Sequence, residues 1–383
     1  MTDANRKRLF RPADMPAARQ PEPLDGMTPR QVVLAAFRHR RPDRVPKSAG
    51  LSPYLMEIFK DKTGSDSPDD YWDFECRDVS IGPTRLVRDF SEYYPEEVRP
   101  RVARQDEWGV GYLPSSSFHF EDYVHPLAGL TTLDELEAFP WPDCTAPYRR
   151  EGVAEKVKDW QARGYAVRGW PPMLHGTIFE NAWMMRGLEN LLTDFLVNEE
   201  FAEFILDKLT AMQIDGMRFV AECGVDVVAC GDDVGTQRGM MMSPALWRKW
   251  LKPRLASVIA AARAVKPEVH VWYHSDGNVM DIVPELIEIG VDVLNPVQPE
   301  CMDPLELKRR FGKRLSFWGT IGTQTTMPFG TPQEVRQTVK RMIETVGVDG
   351  GLLLAPTHVL EPDVPWENVV AFLDAVRESG SRP

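Results

Sequence analysis

From about Glu151 to the C-terminus, short runs rich in Val, Leu, Ile and aromatics alternate with longer helical stretches, and this alternation constrains the fold most. The runs are "YAVRGW", "VDVVACGDD", "VHVWYHSDG", "VDVLNPVQ", "LSFWGTIG" and "GLLLAPTHVL". Helical patterns such as "PALWRKWLKPRLASVIAAARAV" and "TPQEVRQTVKRMIETV" separate them. Near-continuous apolar strands between amphipathic helices predict a parallel sheet covered on both faces. Upstream, "RQVVLAAFRHR" reads as a helix and "DRVPKSAG" as a candidate first strand. "DEWGVGYLP" is either an eighth strand or, in preference, part of an excursion. Seven or eight such strands favour an α/β chain of the (β/α)8 TIM-barrel class over an open doubly wound sheet. No GxGxxG or GxxxxGK[ST] follows any strand, which weakens a nucleotide-binding reading.

Residues 28–383 are read as a single barrel domain, with 51–150, rich in Pro, Trp and acidic residues, as an irregular insertion capping the barrel mouth. Residues 1–27 are read as a polar, Pro-rich N-terminal arm whose Arg6, Arg8 and Arg11 fit an acidic neighbour or, more simply, solvent. A net charge of −12 argues against a nucleic-acid partner, which needs a basic stripe. No apolar run reaches membrane-spanning length, and the first residues lack a signal-type apolar core. Five scattered cysteines without a CxxC pair point to a reduced, cytoplasmic protein.

In barrels of this class, chemistry gathers where strands end at one mouth. The polar residues that stop these strands are Trp170 with His175, Asp232 and Asp233, His274 with Asp276, Asn295 with Gln298, Thr320 with Gln324, and His358. "WYHSDG" carries an imidazole and a carboxylate two residues apart, so both can leave one face of a strand toward a metal. Each residue also has a plainer role: Asp276-Gly277 as a turn, one of Asp232 and Asp233 as a helix cap, His175 as a hydrogen-bonded loop residue. Trp170, Trp183, Trp247 and Trp318 are read as packing unless they lie at the mouth.

These motifs resemble the uroporphyrinogen decarboxylase superfamily, which includes the decarboxylase and zinc-dependent methyltransferases working with corrinoid proteins. The resemblance rests on "TPRQVVLAAFRHRRPDRVP", "GDDVGTQRGMMMSPALWRKWLKPRL", "HSDGNVMDIVPELIEIGVDVLNPVQPECMDPLELKRRFG", "FWGTIGTQTTMPFGTPQEV" and "LLLAPTHVLEPDVPWENV", and covers about Thr28 to Gly380. It implies a (β/α)8 barrel. The decarboxylases grip their substrate's carboxylates through an Arg-rich "RQAGR" segment; here the corresponding "KSAGLSPYL" has no arginine, which argues against that substrate. The methyltransferases bind zinc with a His-x-Cys pair and a later Cys. Laid on this sequence, those positions fall on His274, Asp276 and His358, and a relative's Glu position falls on Gln298.

A His/Asp/His set is a harder donor group than one with thiolates and suits polarising oxygen. The resemblance therefore implies a zinc-type divalent metal at His274, Asp276 and His358. The activity implied is demethylation of a small methoxylated or methylated compound, with a corrinoid protein as the methyl-carrying partner. Asp232, Asp233 and His175 are the expected catalytic residues. Trp170, Glu180, Gln237, Asn295, Gln298 and Gln324 are the expected substrate contacts. A homodimer is common among relatives of this fold. The alternative activity is a cofactor-free decarboxylase or lyase on a small acidic substrate; a non-catalytic barrel that binds a small ligand is the reading from outside enzymes.

Overall fold

The computed structural model describes residues 26–115 and 121–380. All but Gly26 and Met27 of the expected N-terminal arm lie outside the described residues. Among the described residues the strands are β1 (Cys76–Ser80), β2 (Arg104–Gln105), β3 (Gly111–Leu113), β4 (Asp122–Val124), β5 (Ala166–Trp170), β6 (Val227–Gly231), β7 (His270–His274), β8 (Val293–Asn295), β9 (Ser316–Ile321) and β10 (Leu352–Pro356). Seven of them form one curled sheet in the order β1-β5-β6-β7-β8-β9-β10, every pair parallel. Strand β10 bridges in parallel to Lys47, with Leu354 N donating to Pro46 O and Ser48 N to Leu354 O. On its other side Lys47 N donates to the side chain of Glu75, the residue before β1. "DRVPKSAG" thus fills the eighth position, and the chain is a (β/α)8 barrel.

The segment 51–150 is more regular than expected. It holds a helix (Pro53–Thr63), barrel strand β1, and a three-stranded antiparallel sheet, β2-β3-β4, to which "DEWGVGYLP" contributes. Strand β1 carries no apolar-run signal because "CRDVS" holds two charges: Asp78 faces the barrel interior, where Arg168 on neighbouring β5 neutralises it (Nε–Oδ1 2.8 Å, Nη2–Oδ2 2.9 Å). The excursion is pinned to the barrel by Arg186, which reaches the carbonyl oxygens of Leu127 and Leu130 and forms a buried pair with Asp194.

Alternation along each strand sends one set of side chains inward. Ala166, Val227, Ala229, Trp272, Val293, Trp318, Leu353 and Ala355 fill the interior, and Val33, Ala36 and Phe37 of the helix Pro29–Phe37 close its lower end. That helix and Pro332–Thr345 each open with a Thr-Pro capping box, Thr28 with Gln31 and Thr331 with Glu334. Each box satisfies amide groups that a helix start leaves unpaired. No described helix is long and apolar enough to cross a membrane.

Candidate metal centre at the barrel mouth

At the C-terminal end of β7, His274 points into the barrel, stacked on Trp272 below it (ring centroids 5.7 Å, 18° between planes). Asp276 follows two residues later, and Asp233 leaves the end of neighbouring β6. One donor atom from each of Asp233, His274 and Asp276 lies within 4.8 Å of the other two. His274 Nε2 is 3.5 Å from Asp233 Oδ1 and 4.0 Å from Asp276 Oδ1. Tetrahedral zinc with bonds of about 2.1 Å sets its ligands roughly 3.4 Å apart, close to these spacings. Asp276 Oδ1 is buried without a hydrogen-bond partner. A buried, unpaired carboxylate oxygen is costly unless a proton or a cation meets it, so these three residues fit a divalent ion.

His358 is not one of the three. It is exposed, two residues beyond β10, and its charge reaches Asp276 only across space. The sheet order explains the exchange: β10 is three strands round the barrel from β7, whereas β6 is its neighbour. Of the expected trio of His274, Asp276 and His358, the structure brings His274 and Asp276 together, and the third acid or imidazole gathered with them is Asp233.

Two further carboxyls stand behind this group. Glu180 is buried, and its Oε2 accepts the backbone N–H of Asp233 (3.0 Å). Burial, reinforced by the charges of Asp233 and Asp232, holds its pKa well above the carboxylate range. Asp232, expected as a catalytic group, accepts the amides of Ile178 and Glu180 (3.0 Å each), capping the helix Phe179–Arg186 from a different strand. Burial pushes its pKa up to about 7 against those hydrogen bonds. Burial also raises Asp276, opposed by His274. The two inner carboxyls flank Gly176, where a Cβ would lie 2.6 Å from both Asp232 Oδ1 and Glu180 Oε2.

The raised pKa of Asp232 has a sign. Between its ordinary value of 3.8 and about 7, the folded chain keeps a proton that the unfolded chain has shed. Stability of the metal-free protein is therefore expected to fall as pH rises through that window and to stay lower above it. Thermal midpoints from pH 4 to 8 check this, and Asp232→Asn should flatten the slope.

The remaining expected residues divide by location. Asn295 and Gln298, expected to touch substrate, are buried with their amides turned inward: Asn295 Oδ1 meets His274 Nδ1 (2.6 Å), and Gln298 Oε1 accepts Gly277 N (2.6 Å). The strand-end pattern that marks mouth residues does not reveal which of them are already occupied by one another. Gln237, His175 and Gln324 are exposed on mouth loops. Gln237 Oε1 accepts from the Cys301 thiol (3.2 Å), His175 lies edge-on to Tyr123, and Gln324 donates its backbone N–H to Glu300. Trp170 is half-buried, its ring edge-to-face with Trp272.

Sequence reasoning missed Arg168. Its guanidinium lies 4.4–4.6 Å from the ring centroids of Trp170, Trp272 and Trp318 while it holds Asp78. The signal was present: an arginine at an inward position of the apolar run "YAVRGW" must have both a charge partner and a soft lining.

Residues 174–379 match the family model described as Uroporphyrinogen decarboxylase (URO-D). The uroporphyrinogen decarboxylase of Pseudomonas syringae pv. syringae (strain B728a) is 23% identical over 255 residues, covering 65% of this chain and 69% of that protein. A uroporphyrinogen decarboxylase of Thermus thermophilus is 26% identical over 176 residues, covering 45% and 48%. Among solved structures, a methyltransferase from Methanosarcina mazei superposes with a TM-score of 0.64 at 20% identity, over 92% of this chain and 99% of that one. That likeness bears on the barrel alone. The family match takes in β6 to β10 and all three gathered donors, more than half of the chain, and the chain belongs to the uroporphyrinogen decarboxylase (URO-D) family.

Proposed function

We propose that this chain is a cytoplasmic, metal-dependent methyltransferase, moving a methyl group between a small methoxylated or methylated compound and a corrinoid protein. The observation that carries the reading is the convergence of Asp233, His274 and Asp276 at the mouth, with one carboxylate oxygen buried and unpaired. The barrel's likeness to a protein named a methyltransferase supports it, as does the lack of arginine in "KSAGLSPYL", which disfavours a substrate with many carboxylates.

Asp233, His274 and Asp276 would hold the ion, zinc being the expected one. Bound there, it would polarise the substrate oxygen that keeps the electron pair when the methyl group leaves. The protein's own groups would do the rest. Glu180 holds the Asp233 backbone through Oε2, so a proton on this carboxyl sits at Oε1. Asp232 fixes the first turn of the helix that carries Glu180. Trp170 offers a half-buried aromatic face, and Gln237, His175 and Gln324 stand on the loops that a substrate would pass.

Elemental analysis of the purified chain is expected to find one divalent ion per molecule. Methyl transfer from methoxylated compounds to a corrinoid protein should be lost on chelation and return with zinc. Full turnover by metal-free protein would overturn the reading.

A further inference from the structure

We infer that the segment Asn295–Gln298 is a two-point clamp on the neighbouring strand end: it sets the ring tautomer of His274 and the backbone position of Asp276 before any ion binds. Strand β8 lies beside β7, and Asn295 is in register with His274. Asn295 Nδ2 donates to the Trp318 carbonyl (2.8 Å), so the amide's other end, Oδ1, is the atom 2.6 Å from His274 Nδ1. An amide oxygen only accepts, so Nδ1 carries the ring proton. The lone pair is left on Nε2, the nitrogen that faces Asp233 and Asp276.

The second point lies three residues on. Gln298 Oε1 accepts the N–H of Gly277, and Ser275 N donates to Asn295 O (3.0 Å). Asp276 is thus gripped on both sides, while its own N–H is held by Asp233 Oδ1 (2.7 Å). The clamp is itself built under constraint. Val297, between the two amides, is fully buried at φ +53°, and Thr320, whose N–H donates to Pro296 O, sits at φ +80°. β-Branched residues adopt such angles only where their surroundings leave no alternative. Outer groups of this kind commonly decide how well a site is pre-shaped for its ion.

The inference rests on the proposed metal site only for its consequence, so its test begins without metal. In metal-free, 15N-histidine-labelled full chain above the imidazole pKa, long-range 1H–15N correlations should show His274 with the proton on Nδ1. Asn295→Asp keeps an acceptor facing the ring and should preserve that tautomer. Asn295→Leu should release it to a mixture. An Nε2–H ring in the wild-type protein, or an unchanged tautomer in a folded Asn295→Leu variant, overturns the clamp. Zinc affinity, read by competition with a chelating dye, should fall about 10- to 100-fold in Asn295→Leu and in Gln298→Leu. The predicted tautomer shifts in a chain that binds no zinc would uphold the clamp and sink the proposed metal chemistry instead.

Discussion

His274→Ala, Asp276→Ala and Asp233→Ala are each expected to weaken divalent-ion binding by more than about 100-fold, because removing a donor exceeds the tenfold to hundredfold cost of removing a group behind one. His358→Ala is expected to leave affinity unchanged, since its ring is exposed and outside the gathered set. Calorimetric titration of metal-free protein with zinc measures all four. The comparison separates two ligand sets that the sequence alone ranks the other way. A loss in His358→Ala equal to that in His274→Ala would restore the set implied by resemblance; a loss in Asp233→Ala alone among the carboxylates would move the ion toward β6. Because burial raises the Asp276 carboxyl, an ion held there as proposed must displace a proton at low pH, and affinity should increase with pH over the range in which that carboxyl titrates.

Gly319→Ala is expected to destabilise the fold by more than about 4 kcal/mol, the range reserved for changes that a packed structure cannot absorb. Gly319 sits at φ +133°, and a Cβ there would overlap the carbonyl oxygen of Pro296. Backbone, unlike the end of a long side chain, has no rotamer by which to move aside. Neighbouring Thr320 and Val297 already occupy positive φ, at a cost of order 1–3 kcal/mol each, so little tolerance is left at this corner. The thermal midpoint should drop by on the order of 5–10 °C or the soluble yield should vanish. Gly129→Ala, where nothing lies within 4 Å of the added carbon, is the matched control and should be silent. A Gly319→Ala variant that keeps its midpoint would mean that β8 and β9 are not packed as described.

How much of the site could be read beforehand depended on which neighbours a residue needed. His274 and Asp276 were legible because both their spacing and their strand lie within seven residues of chain. Asp233 was visible as a strand-end acid, but its place beside His274 and Asp276 needed β6 and β7 side by side. Asp232 looked identical to it one position earlier, yet turns away to cap a helix that begins more than fifty residues upstream. Asn295 and Gln298 read as polar mouth residues until their partners were in place. Arg168 did not mask its own strand, since "YAVRGW" reads as one, but Asp78 argued against a strand at "CRDVS", and only its pairing with Arg168 makes that strand acceptable.

From the order of its residues alone, this chain declared an eight-unit barrel, the end of the barrel where polar groups collect, and one strand that ends in an imidazole and a carboxylate two residues apart. Those properties follow from periodicity and from alternation along a strand, which are local. Tertiary structure decided which acids meet, which are neutralised and which serve as scaffolding. A carboxylate's role is set by the charges and amide groups within a few ångströms, and most of those come from strands far away along the chain.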